Sequence, residues 1–482
     1  MTPPAVPDPV PLCVDLDGTL IKSDTLYESA AALLTSSPLK LLAVSTSLLG
    51  GKARLKARMA EAVPLDTTAL PYTDDLLDFL REQKAAGRTL ILVTAADARN
   101  ARAVADHVGL FDEVLASDGA VNLRGRNKVA ALVARFGAKG YDYVGNDATD
   151  VAVWRECRTA FVANGSRAVR AKAAAVATVG AEFGGRKPLL KAVTKALRVH
   201  QWVKNVLVFV PLVAAHKYGE LARLLDVLVY FVAFSLTASS LYVLNDLFDL
   251  AADRKHPTKR RRPFAAGDLP VSWGMVGGPL LLLGGLAVGF AVSVTAGIVL
   301  AFYAALTLTY SAVLKRLALI DVFVLAAFYM IRIIGGGTAS GIVASEWLLG
   351  FSWFFFLSLG FLKRVTELMR VRDKHGADGH TRGYRVSDLD LLSRFGIASG
   401  FASALVLALY VRSPMGVAVY ATPEVLLASV PLLLLWVCRL WLHTERGRMH
   451  DDPIVFALKD RASWAILGLL AVTVGVARLA HF

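Results

Sequence analysis

The sequence predicts a two-part chain, an α/β domain with a small helical cap followed by an all-α polytopic membrane domain of about nine transmembrane helices. Three observations predict it. Hydrophobic residues make up 55% of the 482 residues, and mean hydropathy is +0.51, well above a soluble average. The apolar excess is uneven: residues 1–182 mix charged and apolar side chains as soluble α/β chains do, and long apolar runs dominate from Val206 onward. Within the first part, short apolar runs of strand length alternate with helical periods.

Taken in order, Leu12–Leu16 reads as a short buried strand, Leu76–Ala86 as a helix, and Thr89–Val93 as a buried strand ending at Thr94. Val129–Phe136 is helical, Tyr141–Val144 is a strand, and Phe161 and Val162 begin another. This β–α rhythm implies a parallel, Rossmann-like sheet with ligands at the C-terminal ends of its strands. Helices between about Ser23 and Pro71 interrupt the rhythm and read as a cap inserted after the first strand. The domain boundaries expected are 1–182 for this part, 183–203 for a linker and 204–482 for the membrane part. In the linker, Leu189, Leu190, Val193 and Leu197 share a helical face, with Lys187, Lys191, Lys195 and Arg198 as polar positions. Such a helix suits a membrane interface.

Candidate spans fall near 204–218, 222–246, 272–294, 296–314, 319–341, 346–362, 392–412, 422–441 and 462–480. With the N-terminus inside, KHPTKRRR, Lys315-Arg316, Lys363-Arg364 and RLWLHTERGR all fall on one face, and the opposite loops are charge-poor. The positive-inside rule therefore supports the count and a cytoplasmic N-terminal domain in a bacterial-type inner membrane. It also accounts for the net charge of +14, with no aromatic-rich basic module for nucleic acid. Cys13, Cys157 and Cys438 are scattered without ligand spacing, which excludes a disulfide or zinc framework. MTPPAVPDPV lacks the parts of a signal peptide.

The first strand leads into Asp15-Leu16-Asp17-Gly18-Thr19. Carboxylates at i and i+2 of an extended segment point to one face, where one can be a nucleophile and the other an acid/base. Thr94 follows a second strand and can bind a phosphoryl oxygen, Lys128 can neutralise phosphate, and Asn146-Asp147-Ala148-Thr149-Asp150 offers oxygen ligands for Mg²⁺. This segment resembles the haloacid dehalogenase-like phosphatases over about residues 10–182. The resemblance implies Asp15 as nucleophile through an aspartyl phosphate and Asp17 as proton donor to the leaving oxygen. It also implies Thr94 and Lys128 around the transferred group, and Mg²⁺ held by Asp15, Asp17, Asn146 and Asp150. The family usually has Asp where this chain has Asn146, which keeps an oxygen ligand and lowers metal affinity.

In the membrane part, Asn245, Asp249 and Asp253 lie four apart on one helical face, with Asp246 beside them. Clustered carboxylates repel, so the arrangement calls for a cation, and Mg²⁺ would bridge it to a diphosphate. Cations follow in DRKHPTKRRRP, Tyr310 and Lys315 close the fourth span, Asp321 and Arg332 lie in the fifth, and Lys363, Arg364 and Glu367 end the sixth. Charges inside a membrane are expensive and usually functional. This half resembles the UbiA-type intramembrane prenyltransferases over about residues 186–482. Most members carry a second Asp-rich motif after the sixth span; this chain has Lys363-Arg364-Val365-Thr366-Glu367 and then Arg382-Gly383-Tyr384.

The altered pattern, with LRVHQWVKN (including Lys204 and Asn205) and YSAVLKR, is similar to the branch of decaprenyl-phosphate phosphoribosyltransferases. The resemblance implies that Asp246, Asp249 and Asp253 hold Mg²⁺ on the diphosphate of phosphoribosyl diphosphate (PRPP) and that a polyprenyl phosphate is the nucleophile. It makes Lys204, Asn205, Asn245, Lys259, Arg262, Tyr310, Lys315, Arg332, Lys363, Arg364, Glu367, Arg382 and Tyr384 the candidate substrate-binding residues. The fusion then implies a bifunctional enzyme whose first domain removes the 5-phosphate from the lipid-linked product. Two other readings stand beside it: an aromatic prenyltransferase using polyprenyl diphosphate, against which the missing second Asp motif counts, and a non-enzymatic transporter or lipid-binding scaffold.

Overall fold

A computed structural model of the chain describes residues 10–118, 122–185, 187–376, 379–449 and 453–479. Residues 1–9, on which the signal-peptide expectation falls, and Arg186 of the linker lie outside the described residues. The chain packs as two units, one of Met1–Val199 with Tyr242–Leu280 and one of His200–Leu241 with Leu281–Phe482.

The first unit opens on β1 (Leu12–Val14), whose three side chains are all buried. The cap follows as α1 (Thr25–Ser36), α2 (Pro38–Ser45), a 3₁₀ turn Thr46–Gly50 and α3 (Lys52–Ala62). Asp24 caps α1 by accepting from the Leu26 N–H at 2.8 Å. The sheet resumes through α4 (Asp74–Ala85), β2 (Leu90–Asp97), α5 (Ala98–Val108), β3 (Glu113–Ser117), α6 (Arg126–Phe136) and β4 (Asp142–Gly145). It closes with α7 (Val151–Glu156), β5 (Thr159–Ala163), α8 (Arg167–Val176) and β6 (Thr178–Phe183). All six strands are parallel, in the order β3-β2-β1-β4-β5-β6. One face packs around Leu12, Val14, Leu76, Leu92 and Val104, the other around Cys13, Ile91, Leu132, Tyr143 and Trp154.

That order makes β2, β1 and β4 neighbours, so the segments beginning at Thr94, Asp15 and Asn146 meet at one end of the sheet. The α/β class and the helical cap agree with the sequence reading. Strands β3 and β6 are additional.

The linker forms α9 (Leu189–Ala196), which buries Ala192 and Ala196 and leaves Leu189 and Leu190 exposed. Next come a 3₁₀ segment Val199–Phe209 and α10 (Val210–Ala214). The expected first span near 204–218 is thus a broken, shorter apolar stretch, Val199–Ala214. Among the described residues eight helices, not nine, are long and apolar enough to cross a membrane. Two local features end helix here: Pro211 cannot donate to a helix carried through from Val199, and His216 takes a positive φ of 53°.

The long helices begin with α11 (Leu221–Phe248), prolonged by α12 (Leu250–Lys255). Then come α13 (Val271–Val292), α14 (Val294–Ala312), α15 (Ile320–Ser340) and α16 (Glu346–His375). After the two-residue strands β7 (His380–Thr381) and β8 (Tyr384–Arg385), α17 (Leu389–Arg412) leads to the short α18 (Pro414–Val419). The last three are α19 (Ser429–Glu445), α20 (Pro453–Lys459) and α21 (Arg461–Leu479).

Helix α16 corrects the expectation that the sixth span ends at Leu362: it continues to His375, so Lys363, Arg364 and Glu367 lie inside a helix. In the second unit the core gathers Val322, Ile333, Leu362, Tyr384, Leu392, Val437 and Trp441. The glycine run of α15 lets the 3₁₀ segment approach closely: a Cβ on Gly336 would stand 1.8 Å from the Val208 carbonyl oxygen.

Candidate functional site

In the α/β domain, Asp15 follows β1 directly. Its Oδ1 accepts from Lys128 Nζ at 2.7 Å and its Oδ2 from Thr19 Oγ1 at 3.3 Å. Lys128 is buried on α6 and also donates to Tyr143 OH at 2.8 Å. Tyr143 OH donates to Asp150 Oδ1 at 3.0 Å, and Asp150 Oδ2 accepts the N–H groups of Asn146 (2.9 Å) and Asp147 (3.1 Å). A chain of polar groups therefore runs Asp15–Lys128–Tyr143–Asp150. Burial works against the charge on Lys128, but the Asp15 and Asp150 carboxylates hold its pKa above the usual lysine value. Burial, with the Asp15 charge added and Lys128 opposing, pushes Asp150 up to about 6.

Asp17 stands on the same turn. It accepts from the Thr25 N–H at 2.8 Å, and Thr25 Oγ1 lies 3.4 Å from its other oxygen. Loss of solvation, with Asp24 adding and Lys56 opposing, pushes Asp17 up to about 8, so its protonated form is present at neutral pH. Gly18, at φ 78°, makes the turn; a Cβ there would meet Asn146 Nδ2 at 2.1 Å. Asn146 is thereby brought against the Asp15–Asp17 turn. Thr94 is fully buried and accepts from the Ala96 N–H at 3.0 Å. All six residues expected in this site lie at the C-terminal ends of β1, β2 and β4 or on α6 and the turn after β4.

The donors that could hold a cation here are oxygens of Asp15, Asp17 and Asn146, a set suited to Mg²⁺. Asp150 is already engaged by two N–H groups and a phenol, and so shapes the turn. Among the described residues, no three His, Cys, Asp or Glu side chains converge as a ready metal cluster.

The Asp-rich turn also belongs to the first unit. Helix α11 ends at Phe248, yet Asp249 N–H bonds Asn245 O (2.9 Å) and Asp253 N–H bonds Asp249 O (2.8 Å), so the four-residue spacing persists across the break. Asn245 Nδ2 donates to Asp249 Oδ2 at 3.1 Å. Asp246 and Asp253 are nearly fully buried and share Arg262, whose Nη1 lies 3.1 Å from Asp246 Oδ1 and 2.5 Å from Asp253 Oδ2. Arg198 Nη2 reaches the same Asp246 oxygen at 2.6 Å and lies over the Tyr242 ring at 4.6 Å. Arg262 thus lies between the two carboxylates, where a cation is expected. The donor set, three carboxylates and an amide, fits a hard divalent ion. Lys259 is exposed on the turn Lys259–Arg261.

The second unit holds two further polar clusters. Asn205, 1% exposed, accepts from Arg332 Nε at 2.9 Å and donates to Ser235 Oγ at 3.0 Å. The Arg332 guanidinium lies 5.0 Å from the Phe234 ring centre and 5.1 Å from that of Tyr303, whose hydroxyl is 3.3 Å from Nη2. In the other cluster, Arg364 is buried, pairs with Asp321 and with Glu367, and donates to Tyr310 OH at 3.2 Å. Arg382 reaches the same hydroxyl at 3.3 Å and Glu367 at 3.7 Å. Tyr384 OH donates to Asp321 and accepts the Leu319 N–H at 2.7 Å. Tyr310, Arg364, Glu367, Arg382 and Tyr384 therefore form one network around Asp321. Lys204, Lys315 and Lys363 are half-buried. An apolar cavity of about 770 Å³ opens among Pro211, Trp347, Phe351, Leu407, Tyr410 and Met415, with room for part of a lipid chain.

Sequence reasoning missed Tyr143, Arg198 and Tyr303. A tyrosine inside a buried strand demands a partner for its hydroxyl, which was the available signal for Tyr143. For Arg198 the signal was its place in LRVHQWVKN, where only Lys204 and Asn205 were singled out.

Comparison with known proteins places the chain in a family. Residues 206–476 match the UbiA prenyltransferase family and residues 12–153 match the haloacid dehalogenase-like hydrolases. The chain is 38% identical over 467 residues to the protein y4nM of Sinorhizobium fredii, covering 96% of this chain and 90% of that one. It is 34% identical over 280 residues to the nodulation protein NoeC of Azorhizobium caulinodans, covering 57% of this chain and 90% of that one. It is 41% identical over 197 residues to the decaprenyl-phosphate phosphoribosyltransferase of Corynebacterium glutamicum, covering 40% of this chain and 58% of that one. The chain belongs to the UbiA prenyltransferase family and is a multi-pass membrane protein that carries a haloacid dehalogenase-like domain ahead of its membrane part.

Proposed function

We propose that this chain transfers 5-phosphoribose from PRPP to a polyprenyl phosphate of decaprenyl type, and that its N-terminal domain then removes the 5-phosphate to leave polyprenylphosphoryl ribose. The observation that carries the transferase half is the network around Arg364. Where a second Asp-rich motif would serve a prenyl diphosphate, this chain has three cations, the buried Arg364, the half-buried Lys363 and the exposed Arg382, suited to phosphate oxygens. The likeness to relatives named decaprenyl-phosphate phosphoribosyltransferase agrees with it.

In the transfer, the C1–O bond to the diphosphate breaks as an oxygen of the lipid phosphate forms a bond to C1, and diphosphate leaves. The lipid phosphate is already anionic near neutral pH, so no strong base is needed. Asp246, Asp249 and Asp253, with Asn245, would hold Mg²⁺, which would neutralise charge developing on the diphosphate leaving group. Arg262 moves from the carboxylates to the phosphate oxygens as they arrive. Arg332 and Asn205, with Lys204, Tyr310 and Lys315, are the remaining groups matched to the sugar phosphate. The prenyl tail lies among apolar helices, at about 0.8 kcal/mol for each CH₂ buried.

In the hydrolysis, Asp15 attacks the phosphorus and the ester P–O bond breaks. Asp17 gives its proton to the leaving ribose oxygen. Lys128 and Thr94 hold the phosphoryl oxygens, and water then attacks the aspartyl phosphate while Asp17 takes a proton back. The Asp15, Asp17 and Asn146 oxygens would hold the Mg²⁺ that offsets phosphate charge.

The pairing of Glu28 of the cap with Arg254, beyond the first long helix, supports a reading in which both lie on one side and the broken stretch Val199–Ala214 crosses outward before α11 returns. The basic loops, by the positive-inside rule, support a cytoplasmic placement of that side in a bacterial-type inner membrane. The experiment is transfer of radiolabel from ribose-labelled PRPP into polyprenyl phosphate by the purified chain. Label should enter the lipid fraction and be lost in Asp249→Ala. Label entering only from prenyl diphosphate, with hydroxybenzoate as acceptor, would establish the aromatic prenyltransferase instead.

A further inference from the structure

The cap has an apolar side that faces away from the protein. In Pro38–Gly50, Leu41 and Val44 turn inward to a cluster with Ala30, Leu33, Leu55 and Met59. Leu39, Leu42, Leu48 and Leu49 turn outward and are 82%, 68%, 53% and 96% exposed. Four outward leucines in one short segment exceed what a soluble surface carries by chance scatter.

Two observations identify what covers them. The inward cluster also packs on Met275, in the second turn of the membrane helix α13. Trp273, two residues earlier, is 52% exposed, and Val276, Leu280 and Leu283 beyond it are 61–64% exposed, as for side chains that meet lipid. An exposed Trp at the start of a span marks the headgroup level, so the cap rests at that level. The charge is complementary as well: residues 37–62 carry Lys40, Lys52, Arg54, Lys56 and Arg58 against the single acid Glu61. Arg54 and Arg58 line a concavity of about 480 Å³ beside Leu49. Apolar tips flanked by cations are the pattern of an interfacial element on an anionic leaflet.

We propose that Pro38–Gly50 inserts Leu39, Leu42, Leu48 and Leu49 into the anionic lipid surface beside α13, with Lys40, Lys52 and Arg54 on the headgroups. The cap thereby becomes a membrane contact of the phosphatase domain, separate from the spans. This depends on neither enzymatic reaction.

The test uses the full chain with Cys438→Ser and an environment-sensitive fluorophore on Leu49→Cys, or on Glu82→Cys of α4 as a control. Each is placed in nanodiscs of phosphatidylglycerol and phosphatidylcholine carrying an acyl-chain doxyl quencher. Quenching at position 49 should be several-fold that at position 82 and should fall when phosphatidylglycerol is omitted. Quenching at 49 no greater than at 82 would overturn the insertion, and quenching independent of phosphatidylglycerol would overturn the anionic-surface assignment.

Discussion

Arg254 holds Glu28 with two hydrogen bonds of 2.6 Å, Nη2 to Oε1 and Nη1 to Oε2, across 226 residues of sequence. Both side chains are under a tenth exposed. Arg254 directly follows Asp253 of the Asp-rich turn, and Glu28 accepts from Ser23, whose carbonyl takes the Gly18 N–H of the Asp15–Asp17 turn at 2.9 Å. The two phosphate-chemistry motifs of the chain are thus joined through Arg254, Glu28 and Ser23.

Removing one partner leaves a buried charge alone. Arg254→Met should destabilise the protein by about 3–5 kcal/mol, and adding Glu28→Gln should restore much of that. Thermal unfolding of the purified chain measures both, and equal stability of Arg254→Met and wild type would show that the bridge contributes little.

Lys128 makes a second prediction. It neutralises Asp15 and anchors Tyr143, so Lys128→Met should lower phosphomonoester hydrolysis by about a hundredfold or more. Label transfer from PRPP should be kept, since Lys128 belongs to the other chemistry. Steady-state rates on a generic phosphomonoester, beside the transfer assay, separate the two.

Asp142 at the start of β4 sets an acid limit. It is buried and accepts from Arg158 at 2.6 and 3.0 Å, from Arg88 and from the Thr159 N–H at 2.9 Å. Burial opposes its charge, but the two guanidinium groups prevail and hold its pKa below the usual carboxylate value. A depressed folded pKa gives stability that is present above the unfolded value of about 3.9 and is lost as pH falls through the folded one. Hydrogen exchange in β4 and β5 should therefore quicken below about pH 4. Asp142→Asn should exchange faster at neutral pH and show a flatter acid limb.

The Asp321 network makes the fourth prediction. Lysine cannot reproduce the fork by which Arg364 meets Asp321, Glu367 and Tyr310. Arg364→Lys should cut transfer at least tenfold, with a higher KM for PRPP. An unchanged KM would mean the network only supports the fold.

Much of this was legible in the sequence because it is local. Asp15-Leu16-Asp17-Gly18, the apolar strands and the four-residue spacing at Asn245, Asp249 and Asp253 depend on neighbours along the chain. What was not legible depends on distant partners. Strands β3 and β6 sit at the two edges of the sheet, and the side chains of β6 alternate between exposed and half-exposed. β6 therefore lacks the apolar run that marked β1 and β2, and the short run Val114–Ala116 of β3 is only half-buried. Arg262 looked like one cation among several; only folding puts it between Asp246 and Asp253. The charges of α16 read as the end of a span because their partners, Asp321 and Tyr310, lie on α15 and α14.

The central claim is that both chemistries act on one lipid. Its direct test is the mass of the lipid formed from PRPP and polyprenyl phosphate by wild type and by Asp15→Asn. Wild type should release polyprenylphosphoryl ribose, and Asp15→Asn should accumulate a product heavier by one HPO₃ unit. The same mass from both proteins would contradict the account.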